Sequence, residues 1–341
     1  MDMKKGILPI LIILAAFLLC ACSQSGPASA PAATEETPAP TPEPTPSPAE
    51  LYETALQTLY ACDFEGAKTR FEALGDYEDS LLLTDYCDYR IEKAGEELTV
   101  KYIKEGCIVK DFTYGTYYIS DLAYIYVPHE MSPETGCILY YAGGGGEESV
   151  LELYSMPYIW AYFPEHDPDA VIVQFKRSGY SSMTKTNLRA IDMLRQLELE
   201  LNFVIHDMVV IGSSSGGYTA NRAAVQLWTE GNIRVKKLLD MDNGMEWEAL
   251  NRKDNLSEEE LDDLAAEGTE VYLFEQPGVG MDKKPIADMV NHGVNVTIVE
   301  CKNDDHNTIT VNMYKKDIFG WALDEYEELD SEEYTLVKLE K

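Results

Sequence analysis

The sequence has little positive charge and few histidines. Its 341 residues include 27 Lys and Arg against 60 Asp and Glu, which gives a formal net charge of −33. So acidic a chain argues against nucleic acid and anionic lipid as ligands, because both carry negative charge themselves. Since there are only 5 histidines, few side chains are available as a general base near neutral pH.

Cysteine is also scarce and irregularly placed. Beyond Cys20 and Cys22, the chain has Cys62, Cys87, Cys107, Cys137 and Cys301, an odd number without CxxC spacing. This pattern argues against a zinc site and against a dense disulfide framework, so we expect neither a metal nor a cofactor. The one pair that could meet is Cys62 with Cys87, across a helical hairpin.

The apolar run near the N-terminus, Ile7–Leu19, falls short of the about 20 residues that a membrane-spanning helix needs. It follows a short basic start, as in a secretory signal, and we expect residues 1–21 to be a signal peptide. The sequence LCAC at positions 19–22 resembles the lipobox of bacterial lipoproteins. That resemblance implies a lipid on Cys22, which would anchor the chain to a bacterial cell membrane, facing the extracellular side or the periplasm. The alternatives are an ordinary signal cleaved elsewhere and an uncleaved anchor.

Two segments precede the main domain. Residues 22–50 consist mostly of Pro, Ala, Thr, Ser and Glu, a composition typical of a disordered spacer. Residues 51–97 have apolar side chains three and four positions apart, which predicts packed amphipathic helices. This stretch resembles a tetratricopeptide-like helix pair with its turn at residues 63–66, although it is too short for a free-standing repeat array. It is expected to pack on the main domain or to bind a protein partner.

Residues 98–341 alternate short apolar runs with helical patterns, which is typical of a mostly parallel sheet covered by helices on both faces. Antiparallel pairing is expected at one edge, near residues 110–128. Helices are predicted over residues 186–201 and 257–268, the second beginning with a capping box formed by Ser257 and Glu260. The predicted strands are 122–128, 137–145, 170–175, 208–212, 235–242, 270–276 and 295–301.

Three serines follow one of these strands, in the sequence GSSSGG at positions 212–217. Only the frame from Gly212 to Gly216 satisfies Gly-x-Ser-x-Gly, with Ser214 at its centre. Glycine is needed on both sides because the turn from strand to helix is too tight for side chains. The apolar strand in front and the helical pattern behind are the context that this motif requires. We therefore predict that Ser214 is a nucleophile.

On these residues the chain resembles the α/β-hydrolase superfamily, of the esterase and lipase kind, over roughly residues 110–328. The resemblance implies a mostly parallel sheet of about eight strands with helices on both faces. It also implies that nucleophile, acid and histidine follow one another in that order along the chain. Part of the oxyanion hole is expected after the third strand of the sheet.

Four glycines, residues 143–146, follow the strand that ends near Tyr141. Glycines at this place expose backbone N–H groups without side chains in the way, as an oxyanion hole requires. The donors are expected to be the N–H groups of Gly144 and Gly145, together with the N–H of Ser215. The superfamily often has His-Gly-Gly-Gly here, whereas this chain has Ala142 in place of the histidine.

The general base is expected to be His306, a few residues past the last predicted strand and after the serine in the chain. His129, His166 and His206 precede the serine, and His292 lies at a predicted helix end. For the acid, Asp282 follows the seventh predicted strand, and Glu275 at the end of that strand is the alternative. Asp240 and Asp242 come after the sixth strand of such a fold, and an acid at that place would be a rarer arrangement.

The resemblance implies a carboxylic-ester hydrolase that works through an acyl-enzyme and needs no cofactor. Its substrate would be a small-molecule or polymer-linked ester. A serine peptidase of the same fold is one alternative. The other is a surface binding protein of hydrolase fold that has lost catalytic activity, since a fold alone does not establish a function.

Overall fold

The structure is a computed structural model that describes the chain from residue 46 onward, with gaps. The described residues are 46–95, 103, 107–120, 123–132, 135–143, 169–175, 183–241, 256–278, 284–302, 321, 324, 329 and 332–340. The signal peptide, Cys22 and nearly all of the proposed spacer lie outside them. Within the described part of the chain, no helix combines the length and the apolar character that crossing a membrane would take.

Three helices precede the sheet, α1 (Pro48–Tyr60), α2 (Phe64–Leu74) and α3 (Ser80–Lys93). A capping box between Ser47 and Glu50 begins α1, and the carboxylate of Asp63 accepts from the N–H of Gly66 at the start of α2. The predicted helix pair corresponds to α1 and α2, and the structure adds the third helix α3. The turn between the pair lies at residues 61–63 rather than 63–66, because α2 already begins at Phe64. The third helix forms because it too has an apolar face, and it buries that face against the other two.

The apolar faces of these helices form one buried cluster that includes Val204 of the following domain. Arg90 on α3 donates a hydrogen bond of 2.7 Å to the backbone oxygen of Phe203. The helical segment is thus packed against the large domain, which is one of the two alternatives that the sequence left open. The other members of the cluster are Ala55, Leu59, Ala67, Phe71, Leu83, Tyr86 and Cys87.

Cys62 and Cys87 are free thiols, so the suggested disulfide between them is wrong. Cys87 is fully buried in the helical cluster. The sulfur of Cys62 instead lies 3.2 Å from the backbone oxygen of Asn202, to which the thiol donates. The two side chains therefore serve different contacts.

One mixed sheet of ten strands forms the centre of the large domain. The strands are β1 Ile108–Asp111, β2 Gly115–Ile119, β3 Ala123–Pro128, β4 Gly136–Tyr141, β5 Ala170–Phe175, β6 Asp207–Ser213, β7 Arg234–Met241, β8 Glu270–Glu275, β9 Asn295–Cys301 and β10 Tyr334–Leu339. Their order in the sheet is β1-β2-β3-β5-β4-β6-β7-β8-β9-β10. The strands β4 to β9 are parallel, and β1, β2, β3 and β10 pair antiparallel at the two sides.

Four helices alternate with the parallel strands, α4 (Met183–Leu201), α5 (Gly216–Gly231), α6 (Glu258–Ala266) and α7 (Lys284–His292). Each contributes side chains to the same buried cluster on one face of the sheet. A second cluster on the opposite face includes Tyr140, Phe274 and Trp321. Because the parallel strands are buried on both sides, they read as continuous Val, Ile and Leu runs in the sequence.

The predicted fold class, a mostly parallel α/β sheet with antiparallel pairing at one edge, is confirmed, and β10 adds antiparallel pairing at the other edge. Helices on both faces were expected; the four described helices of this domain all pack on one face, and helices on the other face stay a prediction. The count of about eight strands is wrong, since the described residues form ten. The first addition, β1, is an exposed hairpin strand whose four residues are all exposed. The second, β10, pairs with β9 and has a mixed pattern, with Tyr334 buried and Leu336 half exposed.

Candidate active site

The turn between β6 and α5 contains the three serines. Ser214 has a φ of 49°, in the left-handed region that non-glycine residues rarely adopt. The backbone N–H of Ser214 donates to the backbone oxygen of Met241 at 2.9 Å. The backbone oxygen of Ser214 accepts from the N–H of Gly217 at 3.0 Å. These bonds hold Ser214 in a strained conformation at the carboxyl edge of the sheet, where its side chain is partly exposed.

Both glycines of the motif are required by close packing. A Cβ on Gly212 would lie 2.6 Å from the Cα of Gly217 and from the Cβ of Ala220. A Cβ on Gly216 would overlap the backbone oxygen of Tyr141 on the neighbouring strand. The helix α5 therefore starts in direct contact with the sheet, and residues 212–217 form a tight strand–turn–helix elbow.

The other two serines occupy different environments. Ser213 is fully buried; its hydroxyl shares a 2.9 Å hydrogen bond with the Tyr140 hydroxyl and accepts from the N–H of Gly143 at 3.1 Å. Ser215 has a right-handed conformation at the N-cap of α5. Ser214 thus combines a left-handed backbone with partial exposure, whereas Ser213 is enclosed by its partners.

The glycine-rich segment begins in contact with the elbow. A Cβ on Gly143 would lie 2.6 Å from the Cβ of Ser214 and would overlap the backbone oxygen of Ser213. Because the Gly143 N–H donates to Ser213, it is directed into the protein rather than toward a substrate. Gly144 and Gly145 lie outside the described residues, and their role as oxyanion donors stays a prediction.

Three of the five histidines are described, and all three lie at the amino edge of the parallel strands. His206 directly precedes β6, and its Nε2 lies 2.8 Å from Asp79. His129 follows β3, whose end lies beside the start of β5, and its Nε2 lies 3.0 Å from Asp111. His292 ends α7 with its Nδ1 2.8 Å from Asp262.

A strand of seven residues, as in β6, separates that edge from Ser214 by about 23 Å, at about 3.3 Å per residue. Side chains at the amino edge are therefore too distant to accept the proton of Ser214. His166 and His306 lie outside the described residues. In the sequence, His306 comes five positions after the last residue of β9, and its role as the base stays a prediction.

The two loops that precede the predicted acid and base start from neighbouring strands. Glu275 ends β8 and lies opposite Glu300 of β9. The N–H of Gly278, in the loop after β8, donates to the carboxylate of Glu300 at 3.2 Å. Asp282 follows in this loop, outside the described residues. The Glu275 side chain is 3% exposed and stays the alternative acid.

Asp240 is engaged beneath the elbow helix. Its carboxylate accepts a 2.8 Å hydrogen bond from the side-chain amide of Asn221 on α5, and the residue is 2% exposed. The same amide also donates to the backbone oxygen of Gly217. This hydrogen bond joins β7 to α5, while Asp242 lies outside the described residues.

Sequence reasoning missed the roles of Ser213 and Tyr140. Tyr140 belongs to an apolar strand run, and nothing in its local pattern distinguishes it from a core residue. Its partner Ser213 lies 73 positions further along the chain, so only the sheet register brings them together. Within the described ranges, no group of three or more His, Cys, Asp or Glu side chains is placed to bind a metal.

The described residues form a mostly parallel mixed sheet with a tight strand–turn–helix at Ser214. No protein-family model matches the sequence of this chain, and no curated protein sequence matches it. Among solved structures, an esterase from Rhizomucor miehei is 15% identical, with a TM-score of 0.43, over 78% of this chain and 96% of that one. A thermostable esterase from Pseudomonas putida ECU1011 is 14% identical, with a TM-score of 0.43, over 80% and 93%. Carboxyl esterase 2 of Tuber melanosporum is 13% identical, with a TM-score of 0.42, over 68% and 90%.

Proposed function

We propose that this protein is a serine hydrolase that cleaves carboxylic esters, with Ser214 as its nucleophile. The observation that carries the proposal is the strained backbone of Ser214 in a strand–turn–helix elbow, with φ at 49°. Strain of this kind persists only where surrounding contacts impose it, and it is concentrated at functional sites. Here the contacts come from β7, from α5 and from the glycine segment after β4.

In the first step, the Ser214 oxygen attacks the acyl carbon while His306 takes the hydroxyl proton. The tetrahedral intermediate then collapses; the bond to the leaving oxygen breaks, and His306 returns the proton to the departing alcohol. In the second step, water gives its proton to His306 and attacks the acyl-enzyme. The Ser214–acyl bond breaks, the carboxylic acid leaves and the serine regains its proton. No cofactor enters this scheme.

The negative oxygen of the intermediate would be stabilised by the backbone N–H groups of Gly144, Gly145 and Ser215. Ser215 stands at the N-terminus of α5, where the helix dipole also favours negative charge. The acid that orients His306 would be Asp282, with Glu275 as the alternative. Support for Asp282 comes from its loop, which leaves β8 beside the strand that leads to His306.

The proposal is tested by hydrolysis of 4-nitrophenyl acetate by the purified protein and by two variants. Ser214→Ala and His306→Ala are each expected to lower kcat by about 1,000-fold or more, with unchanged thermal unfolding. The matched control is Ser80→Ala, which removes a buried hydroxyl of the helical segment far from the elbow and should retain wild-type kcat. Equal turnover by Ser214→Ala and the wild type would overturn the proposal.

Comparing Asp282→Asn with Glu275→Gln in the same assay identifies the acid, because only loss of the orienting carboxylate lowers kcat strongly. A series of esters and peptide amides then separates an esterase from a serine peptidase. A folded wild-type protein that turns over neither class would favour the surface binding protein without catalytic activity.

The cellular setting we propose is a lipid-anchored domain on the extracellular side of a bacterial membrane, or in the periplasm where an outer membrane exists. Cys22 would carry the lipid, and residues 23–50 would act as the spacer. Mass spectrometry of the protein from membranes tests this, since Cys22→Ala should abolish the acyl modification and release the protein. The outer side of the helical segment, with Leu51 and Leu81 exposed, would be the surface for a protein partner.

A further inference from the structure

We propose that Ser213 and Tyr140 are positioning residues that hold the peptide unit of Gly143 in a fixed place beside the nucleophile. This inference rests on the proposed function. The hydroxyl of Ser213 is fully buried, accepts from the N–H of Gly143 at 3.1 Å and shares a 2.9 Å hydrogen bond with Tyr140.

The physical need for such a contact comes from the glycines themselves. Glycine has more conformational freedom than any other residue, so the peptide unit of Gly143 needs a contact that fixes its direction. The hydrogen bond to Ser213 fixes the peptide unit of Gly143, which lies one residue before the expected oxyanion donor Gly144. Ser213 also directly precedes Ser214 in the chain. Its hydroxyl therefore fixes the position of Gly143 relative to the nucleophile.

Tyr140 would act on the contact between Ser213 and Gly143 through its own hydrogen bond to Ser213. Both residues lie at the carboxyl ends of adjacent parallel strands, in the register that pairs Tyr140 with Ile211 and Tyr141 with Gly212. The phenol is 1% exposed, and its hydrogen bond selects the rotamer in which Ser213 faces Gly143. Loss of the phenol hydroxyl should therefore displace Gly143 less than loss of the Ser213 hydroxyl.

The test measures kcat and KM for 4-nitrophenyl acetate, and the pH profile of kcat, in the purified protein. Ser213→Ala should lower kcat by about 10- to 100-fold with KM within about threefold, as expected for a displacement of about 1 Å at the reacting groups. Tyr140→Phe should lower kcat by about 3- to 10-fold, by the same reasoning on a smaller displacement. The double variant should be no slower than Ser213→Ala, because both hydroxyls act through one contact.

The pH midpoint of kcat should stay that of the wild type in all three variants, since neither hydroxyl contacts the base in this account. The control is Thr186→Val, which removes another fully buried hydroxyl, one without a hydrogen-bond partner among the described residues. It should retain wild-type kcat. Thermal unfolding of each variant shows whether the protein is folded at the assay temperature.

Wild-type kcat in folded Ser213→Ala, a rise in KM alone, or additive effects in the double variant would overturn the positioning role. If Ser213→Ala does not fold, Tyr140→Phe decides by the same criteria. The two proposals fail differently. A folded wild type without turnover contradicts the hydrolase itself, whereas an active wild type with unaffected variants contradicts only the positioning pair.

Discussion

The hydroxyl of Tyr86 on α3 donates a 2.6 Å hydrogen bond to the carboxylate of Glu198 on α4. Glu198 is fully buried. Its carboxylate also accepts from the N–H of Ile205 at 2.6 Å and from the guanidinium of Arg195 at 2.7 Å. Arg90 of α3 lies 3.9 Å away. One buried carboxylate thus joins the helical segment to the large domain, so the two should unfold together.

The first prediction concerns this carboxylate. Glu198→Ala leaves Arg90, whose side chain is 2% exposed, without its buried anion. Removing one partner of a buried ion pair typically costs about 3–5 kcal/mol, so the free energy of unfolding should fall by that amount. Urea unfolding followed by circular dichroism measures it. The exposed Glu92 on α3 provides the control, since Glu92→Ala should change stability by less than about 0.5 kcal/mol. Equal effects of the two substitutions would contradict the account.

The second prediction concerns Asp79 and acid stability. Burial would raise the pKa of the Asp79 carboxyl, but hydrogen bonds from His206 and Tyr52 outweigh it and hold the pKa below the ordinary value of 3.8. A carboxyl with a lowered folded pKa stabilises the fold above pH 3.8, and this contribution is lost as the pH falls through the folded pKa. Asp79→Asn should therefore be less stable than the wild type at pH 7, by about 1.5–3 kcal/mol.

Urea unfolding of Asp79→Asn and the wild type at a series of pH values provides the measurement. The difference between the two proteins should shrink progressively below pH 3.8. A difference that stays constant down to the acid unfolding of the wild type would show that the charge of Asp79 has no part in the effect.

The third prediction concerns Glu267, the C-cap of α6, whose ionisation lowers stability where that of Asp79 raises it. Burial raises the pKa of its carboxyl from 4.5 to about 7. The folded state therefore holds this proton more tightly than the unfolded state, and stability is lost as the pH rises through about 7. Glu267→Gln removes the ionisation and should be more stable than the wild type at pH 8. The stability difference between Glu267→Gln and the wild type should be smallest below pH 4.5. Thermal unfolding at both pH values measures it, and a wild type more stable than Glu267→Gln at pH 8 would contradict the prediction.

The fourth prediction concerns the contact between the glycine segment and the elbow. A Cβ at position 143 would press on the Ser214 Cβ at 2.6 Å and overlap backbone. Gly143→Ala should cost about 1–3 kcal/mol of stability from overpacking and lower kcat for 4-nitrophenyl acetate by about 100-fold or more. Gly231→Ala is the control, because its Cβ would meet only the side chain of Ile191, at 3.1 Å. Activity in Gly143→Ala equal to that of Gly231→Ala would contradict the described geometry.

Local patterns determined how well the sequence predicted the fold. The strands β5 and β9 are confirmed to the residue, because each is rich in Val and Ile and lies between segments rich in turn-forming residues. The capping box of Ser257 and Glu260 is confirmed at the start of α6. The strand β10 escaped prediction because its burial depends on pairing with β9 and leaves Leu336 and Val337 exposed.

The site was predictable only in part. The motif around Ser214 predicts the turn directly, because two glycines and a serine in that spacing fit few other turns. The role of Ser213 depends instead on Tyr140, which approaches only when β4 pairs with β6. The third helix, α3, likewise depends on packing against its neighbours rather than on a strong local signal. For His306, Asp282, Gly144 and Gly145 the assignments stay predictions.

The central claim is that Ser214, and neither of its neighbours, is the nucleophile. The most direct measurement is labelling of the purified protein with a fluorophosphonate probe, followed by peptide fragmentation that assigns the adduct within residues 213–215. The account predicts one adduct on Ser214, which is lost in Ser214→Ala and retained in Ser215→Ala. An adduct on Ser213 or Ser215, or no adduct on the folded protein, would contradict it.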